Sequence, residues 1–239
     1  MLVMRIIHTT ISYVLLLLLS IVFALPVLII VLLPREYVLG NKVVLWVERV
    51  FYYLALKCTL VPVRYKGHRY VPAEPAVIVA NHQSSLDIPL VGSAMNGFSH
   101  VWMAMSDLLK SPVLRVLLLR TAVMVDMSSP MKGMRSLIEA IKVINNKHMH
   151  VIIFPEGQRH TDGQVHDFFG GFVILAKKTG RPVVPIRIFN ASKVYSPTAW
   201  LAQFAPITVV IGEPMHMEPE ESDQAFKERV FDWFIHVKE

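Results

Sequence analysis

Ala76-Val77-Ile78-Val79-Ala80 is an uninterrupted apolar run that leads straight into Asn81-His82-Gln83-Ser84-Ser85-Leu86-Asp87. A run this short, rich in β-branched residues and followed by a polar cluster, reads as a strand buried on both faces, with a loop and a helix start behind it. A histidine and an aspartate five positions apart are turned by about 500° on one continuous helix, so they would face away from each other there. They meet only across a strand–loop–helix turn. If they do, Asp87 accepts a hydrogen bond from one nitrogen of His82, fixes the tautomer and stabilises the imidazolium formed when the other nitrogen takes a proton. The competing reading is local: Asn81 and Asp87 cap the turn and helix, and His82 is a surface residue.

The same grammar recurs downstream. Val151-Ile152-Ile153-Phe154 runs into Pro155-Glu156-Gly157-Gln158-Arg159. Beyond residue 62, short apolar runs alternate with longer amphipathic ones, the pattern of an α/β sheet covered by helices. Strands are expected near 76–80, 100–105, 122–126, 150–154, 183–188 and 207–211. Helices are expected near 87–95, 107–119, 130–146, 170–179 and 222–236. The 130–146 helix opens on Ser129-Pro130 and carries Met131, Met134, Ile138, Ile141 and Ile144, expected as a core-facing stripe. Residues 66–75 read as a loop.

The amino-terminal part is different. Hydrophobic residues make up 54% of the 239-residue chain, high for a soluble protein, and they concentrate between Thr9 and Leu33, where there is no charged residue. As a helix that stretch extends about 37 Å, against about 30 Å of bilayer hydrocarbon. Pro26 is expected to kink or end it, so both a span and a half-inserted helix are open. The segment 43–63 carries Val47, Val50, Leu54, Cys58 and Val61 at helical spacing. Glu48 and Arg49 lie clear of that stripe, and Trp46, Phe51, Tyr52 and Tyr53 are rings suited to lipid headgroups. An interfacial helix is expected; a core helix of the soluble part is the alternative. Residues 1–62 are thus taken as membrane-anchoring helices and 63–239 as the catalytic domain.

Arg35, Lys42, Arg49 and Lys57 outnumber Arg5, which places the bulk of the chain on the cytosolic side of a membrane. The net charge of +6 suits an anionic bilayer surface. Arg115, Arg120, Lys132, Arg135 and Lys142 are scattered, without the aromatic-interleaved stripe expected for nucleic acid. The single cysteine, Cys58, excludes an intramolecular disulfide. His160, Asp162, His166 and Asp167 match no zinc spacing, so no metal is expected. No Gly-x-Ser-x-Gly elbow is present, and Ser84 and Ser85 read as loop hydrogen-bonders.

Three ordered blocks carry a family resemblance over about residues 60–215. Asn81-His82-x4-Asp87, Phe154-Pro155-Glu156-Gly157-x-Arg159, and Gly171-Phe172 with Gly180-Arg181-Pro182-Val183-Val184-Pro185-Ile186 together resemble the glycerophospholipid acyltransferases of the lysophosphatidate acyltransferase type. The resemblance implies the glycerolipid acyltransferase fold, a mostly parallel sheet covered by helices with an amino-terminal helical anchor. It implies His82 and Asp87 as the catalytic pair, and an acceptor site drawing on Asn81, Glu156, Gly157, Arg159, Gly171 and Pro185. Expected co-substrates are an acyl thioester of coenzyme A or of acyl carrier protein and a lysolipid, with no further cofactor. Backbone amides near Gly157 or in the His82 loop are the expected oxyanion donors.

Three positions depart from the family pattern. Its second block usually ends in Asp-Arg, where Asp126-Met127 stands here; a common lysine aligns near Met105 and Ser106; another aligns with Phe169. Arg115, Arg120, Lys132 and Arg135 are the cations available to compensate. Lysophosphatidate is the leading acceptor, with a less anionic lysolipid or lyso-aminolipid, or a non-catalytic lipid-binding role, as alternatives.

Overall fold

In the computed structural model, which describes residues 2–196 and 198–239, seven strands form one sheet. They are β1 (Val63–Lys66), β2 (Val77–Ala80), β3 (His100–Met105), β4 (Ala122–Val125), β5 (His150–Ile153), β6 (Val183–Phe189) and β7 (Ile207–Ile211), in the spatial order β1-β7-β6-β2-β5-β3-β4. Every neighbouring pair is parallel except β6 and β7. All four residues of β2 are fully buried, as a central parallel strand covered on both faces requires. The register sets Val79 beside Ile153 and Ala80 beside Ile186, so the carboxyl ends of β2, β5 and β6 open on one edge, where α/β sheets place their sites.

Helices α1 (Leu2–Leu32), α2 (Arg35–Val38) and α3 (Lys42–Cys58) precede the sheet. Then come α4 (Asp87–Ala94), α5 (Pro112–Thr121), α6 (Pro130–Lys147), α7 (Gly171–Thr179), α8 (Ala191–Val194) and α9 (Asp223–His236). Ile78, Ala80, Ile152, Ile186 and Ile188 pack against Leu86, Leu90 and Val91 of the α4 segment and Leu56 of α3. On the other face, Val77, Val79, Val151 and Val183 meet Ala140 and Ile144 of α6, Phe172 and Leu175 of α7, and Phe226 and Phe234 of α9. The alternation of side chains along each strand separates these two cores.

Five expectations change. Helix α1 runs unbroken through Pro26, at the cost of the bond the missing N–H would have made to Val22. It lies along the domain: Arg5 donates to the carbonyls of Leu201 (3.3 Å) and Ala202 (3.5 Å), Ser12 to Thr59 (3.1 Å), and Arg120 Nε to Val31 (3.2 Å). The Val47, Val50, Leu54 and Cys58 stripe of α3 packs on Leu19 and Phe23 of α1. Of the four rings expected at headgroups, Tyr52 is buried and Phe51 meets Phe23 edge-on, leaving Trp46 and Tyr53 exposed. The predicted 107–119 helix is split, because Ser111 caps a fresh start with Pro112 in the first turn. In α6, Met131, Met134 and Ile138 are exposed, and the buried face is Ser136, Ala140, Val143 and Ile144, whose small residues let the helix approach the sheet. Strand β1, absent from the expected strands, is an additional edge strand beside β7.

Candidate active site

The turn after β2 brings the histidine and aspartate together. His82 Nδ1 lies 2.8 Å from Asp87 Oδ2, and the same oxygen accepts the backbone N–H groups of Gln83 (2.5 Å) and Ser84 (2.7 Å). Asp87 is fully buried in the first turn of α4, where the helix dipole also favours its charge. Three donors on one oxygen anchor a carboxylate firmly in place. The far nitrogen of His82, Nε2, accepts from Arg159 Nε at 3.1 Å. An arginine nitrogen can only donate, so Nε2 carries the lone pair and Nδ1 the proton. That is the tautomer a general base needs.

The imidazole is braced from below. It stacks on Phe154 with centroids 4.0 Å apart and planes 11° from parallel, and Phe154 stacks on Trp102 at 5.7 Å. Trp102 Nε1 donates to the hydroxyl of Tyr52 at 3.1 Å, and burial pushes that phenol well above its ordinary range. The His82 ring is thereby tied to α3, whose approach to α4 is close enough that a Cβ on Gly92 would enter the Tyr52 ring.

The second motif closes over the first. Glu156 Oε1 accepts the His82 amide at 2.8 Å and Oε2 the His166 amide at 3.1 Å. Burial raises the Glu156 carboxyl above its ordinary range, while those two amides, the His166 ring and Arg187 oppose the rise. Gly157 sits at a φ of 72°, a left-handed conformation open to glycine, and the Phe169 ring rests against its bare Cα.

The remaining expected residues take other positions. The amide of Asn81 bonds both the N–H (2.7 Å) and the carbonyl (3.1 Å) of Ile188, adding a rung between β2 and β6 beyond the strand end. Gly171 starts α7 against Leu137 and Ile153, and Pro185 lies within β6 beside Gly212; these neighbours belong to the sheet face away from His82. The amides of His82, Gln83, Ser84 and Gly157 are all donating within the protein, so they are not free for an oxyanion. Lys132 pairs with Asp126 at 3.2 Å and Arg120 is committed to α1, so neither supplements Arg159. Met127 and Phe169 are both exposed.

His160 and His166 stack with centroids 3.6 Å apart, and His166 Nε2 is 2.8 Å from Asp162. Among the described residues no cluster of three or more metal-ligating side chains is assembled. A residue that sequence reading overlooked is Arg187, buried under this loop. Its signal was a lone charge in the otherwise apolar run Val183-Val184-Pro185-Ile186-Arg187-Ile188-Phe189.

Comparison with known proteins gives concordant results. The family model described as acyltransferase matches residues 62–189. A 1-acyl-sn-glycerol-3-phosphate acyltransferase from Pseudomonas aeruginosa is 32% identical over 161 residues, 65% of this chain and 60% of the relative. One from Limnanthes douglasii is 28% identical over 159 residues, 66% of this chain and 56% of the relative. The chain therefore matches 56% to 60% of the length of these two relatives. The crystal structure of the 1-acyl-sn-glycerophosphate (LPA) acyltransferase PlsC from Thermotoga maritima superposes with a TM-score of 0.74 at 24% identity, covering 98% of this chain and 95% of that one, a likeness of fold. With the family model spanning more than half of its residues, the chain belongs to the acyltransferase family.

Proposed function

We propose that the protein is a membrane-bound acyltransferase that moves a fatty acyl group from a coenzyme A or acyl carrier protein thioester to the free hydroxyl of a lysolipid. The acceptor is 1-acyl-sn-glycerol-3-phosphate and the product phosphatidic acid. The observation that carries this reading is the Asp87–His82 pair with a proton on Nδ1 and a lone pair on Nε2. His82 Nε2 takes the hydroxyl proton as the oxygen attacks the thioester carbonyl. The tetrahedral oxyanion collapses, the carbon–sulfur bond breaks, and the imidazolium returns its proton to the departing thiolate. Asp87 and the face of Phe154 stabilise the transient imidazolium. The Gln158 and Arg159 amides, which make no hydrogen bond among the described residues, are the oxyanion donors of this scheme.

Arg159 has two duties. As folded, its Nε engages the lone pair that must receive the substrate proton. A phosphate offers the guanidinium a two-pronged, charge-assisted contact stronger than one bond to a neutral imidazole. Seating the acceptor phosphate therefore frees the base in the same movement.

Membrane attachment rests on α1 and α3. Helix α1 exposes apolar side chains along its whole length, yet it is bonded to the domain near both ends, an arrangement suited to lying in one leaflet rather than crossing. Lys42, Trp46, Arg49, Tyr53 and Lys57 form one exposed stripe of α3, cations alternating with rings, fit for an anionic cytosolic surface.

A second acceptor reading has its own support. The exposed Phe169 ring beside Gly157 makes an apolar wall next to Arg159, which suits a less anionic lysolipid or lyso-aminolipid. One labelled acyl thioester assayed against lysolipids with and without a phosphomonoester separates them. Preference for lysophosphatidate is expected; equal or better turnover of phosphate-free acceptors contradicts the leading assignment, and no transfer to any of them contradicts the reaction.

A further inference from the structure

Trp200 is 93% exposed, more than any other large apolar side chain among the described residues, and Phe204 on the same loop is 66% exposed. Single apolar side chains on a surface are ordinary, but two large rings on one short loop mark a contact surface. The loop joins α8 to β7, and between Lys193 and Glu213 the sequence holds no charged residue.

The loop is latched at both ends. At its start the Tyr195 carbonyl accepts Ser84 Oγ at 2.7 Å, inside the turn that joins His82 to Asp87, and the Tyr195 ring meets Tyr13 of α1 edge-on at 5.5 Å. At its far end Arg5 of α1 donates to the carbonyls of Leu201 and Ala202, the Ala202 N–H donates to Thr9 Oγ1 at 3.0 Å, and Phe204 meets the His8 ring edge-on at 5.9 Å. The Gln203 N–H donates to the Val194 carbonyl at 3.2 Å and the Ala199 N–H to the Ser196 carbonyl at 3.3 Å, closing the loop on itself. Main-chain groups already bonded leave water at far smaller cost than bare ones, which is what backbone near hydrocarbon requires.

The rings also continue the surface of α1. Met4 and Ile11, one helical turn either side of His8, are both exposed, so apolar surface passes from the helix onto Phe204. A tryptophan with an apolar body and one N–H suits the headgroup level of a bilayer, and exposed Lys193 at the edge of the loop suits anionic headgroups.

We propose that the loop after α8 is a second membrane-inserting element: Trp200 and Phe204 enter the leaflet that holds α1, and the Tyr195 to Ser84 bond fixes the His82 turn relative to that leaflet. The proposal rests on the reading of α1 as lying in one leaflet. Its consequence is that an acceptor drawn from the bilayer meets His82 at a set height.

The test uses the full chain with vesicles of phosphatidylcholine and phosphatidylglycerol in equal parts, with or without phosphatidylcholine brominated on its acyl chains. Subtracting the emission of Trp200→Phe isolates Trp200 from Trp46, Trp102 and Trp233. On vesicle binding that emission should shift to the blue, be quenched by the brominated lipid and be shielded from aqueous iodide. Trp200→Ser/Phe204→Ser should raise the acceptor KM roughly tenfold for lysophosphatidate presented in vesicles and leave turnover of a short-chain, water-dispersed acceptor unchanged. A protein that floats with the vesicles while Trp200 keeps a solvent-like emission open to iodide overturns the proposal and leaves the attachment through α1 standing. A protein that does not float at all overturns the leaflet reading and the proposal with it. Shielding of Trp200 that grows with protein concentration in the absence of lipid overturns it in favour of a second copy of the chain. If the double serine variant fails to fold or the wild type shows no acyl transfer, the Trp200 fluorescence decides.

Discussion

Asp87→Asn isolates what the buried carboxylate does for the base. In the native site one oxygen, Oδ2, takes the His82 Nδ1 proton at 2.8 Å and two backbone amides at 2.5 and 2.7 Å. Asparagine has the same shape but no charge, and it has two ways to fit. With its oxygen at the Oδ2 position all three donors keep an acceptor, the electrostatic support of the imidazolium is lost, and the NH2 group takes the Oδ1 position, buried without a hydrogen-bond partner among the described residues. Across the native 2.8 Å that support is at most about 6 kcal/mol at an effective dielectric of about 20. With its NH2 group turned toward Nδ1, the ring must hold its proton on Nε2, and the base is gone. Either way the expected loss in kcat is about 10²- to 10⁴-fold, the range a positioned base supplies. Thiol release from the acyl thioester at saturating lysolipid reads the rate, and circular dichroism checks the fold. A well-folded Asp87→Asn variant within about threefold of wild-type kcat would refute the argument, since neither placement of the amide preserves an equally strong base.

Other expectations follow from single contacts. Gly92→Ala forces a methyl into the Tyr52 ring and should lower stability by about 1–3 kcal/mol in denaturant unfolding; an unchanged midpoint would mean that α3 and α4 are not in close contact. Arg159→Ala should raise the acceptor KM far more than the thioester KM, and equal effects on both remove its phosphate-binding role. His150 is buried, accepts the Ala76 amide on Nδ1, and is pushed down to about 4 from 6.5, first by burial and then by His100. Its depressed value contributes stability that is present above about pH 6.5 and is lost as pH falls toward about 4, on the order of 3 kcal/mol. His100 is shifted in the same direction by burial. Unfolding free energies that stay flat across that window contradict the buried neutral imidazoles.

The sheet and the contact between His82 and Asp87 were legible because they rest on short-range rules. Val77 to Ala80 is too apolar to be anything but a central strand, and a histidine and aspartate five apart can meet only across the turn that follows it. What failed depended on partners distant in sequence. Val63-Arg64-Tyr65-Lys66 alternates for four residues only, and it becomes a strand because β7 offers it an edge. The Met131, Met134 and Ile138 stripe is a sound helical pattern, but the sheet receives Ser136 and Ala140 instead, since only small residues allow the close approach. Tyr52 looked like a headgroup anchor until Trp102 supplied a buried partner for its hydroxyl. Asn81 and Pro185, which the resemblance implies at the acceptor site, carry main-chain bonds that no local pattern announces: Asn81 to Ile188, and Pro185 through its carbonyl to the Gly212 amide. Arg187 was visible as an anomaly, a charge in an apolar strand, but its burial beneath the loop at Gly163 was not.

The central claim is that His82 is the base of a direct acyl transfer, and it is tested most directly by His82→Ala with a labelled acyl thioester and lysophosphatidate. The account predicts a folded protein whose formation of labelled phosphatidic acid falls by about 10²- to 10⁴-fold or more. Undiminished product formation by that variant would contradict it.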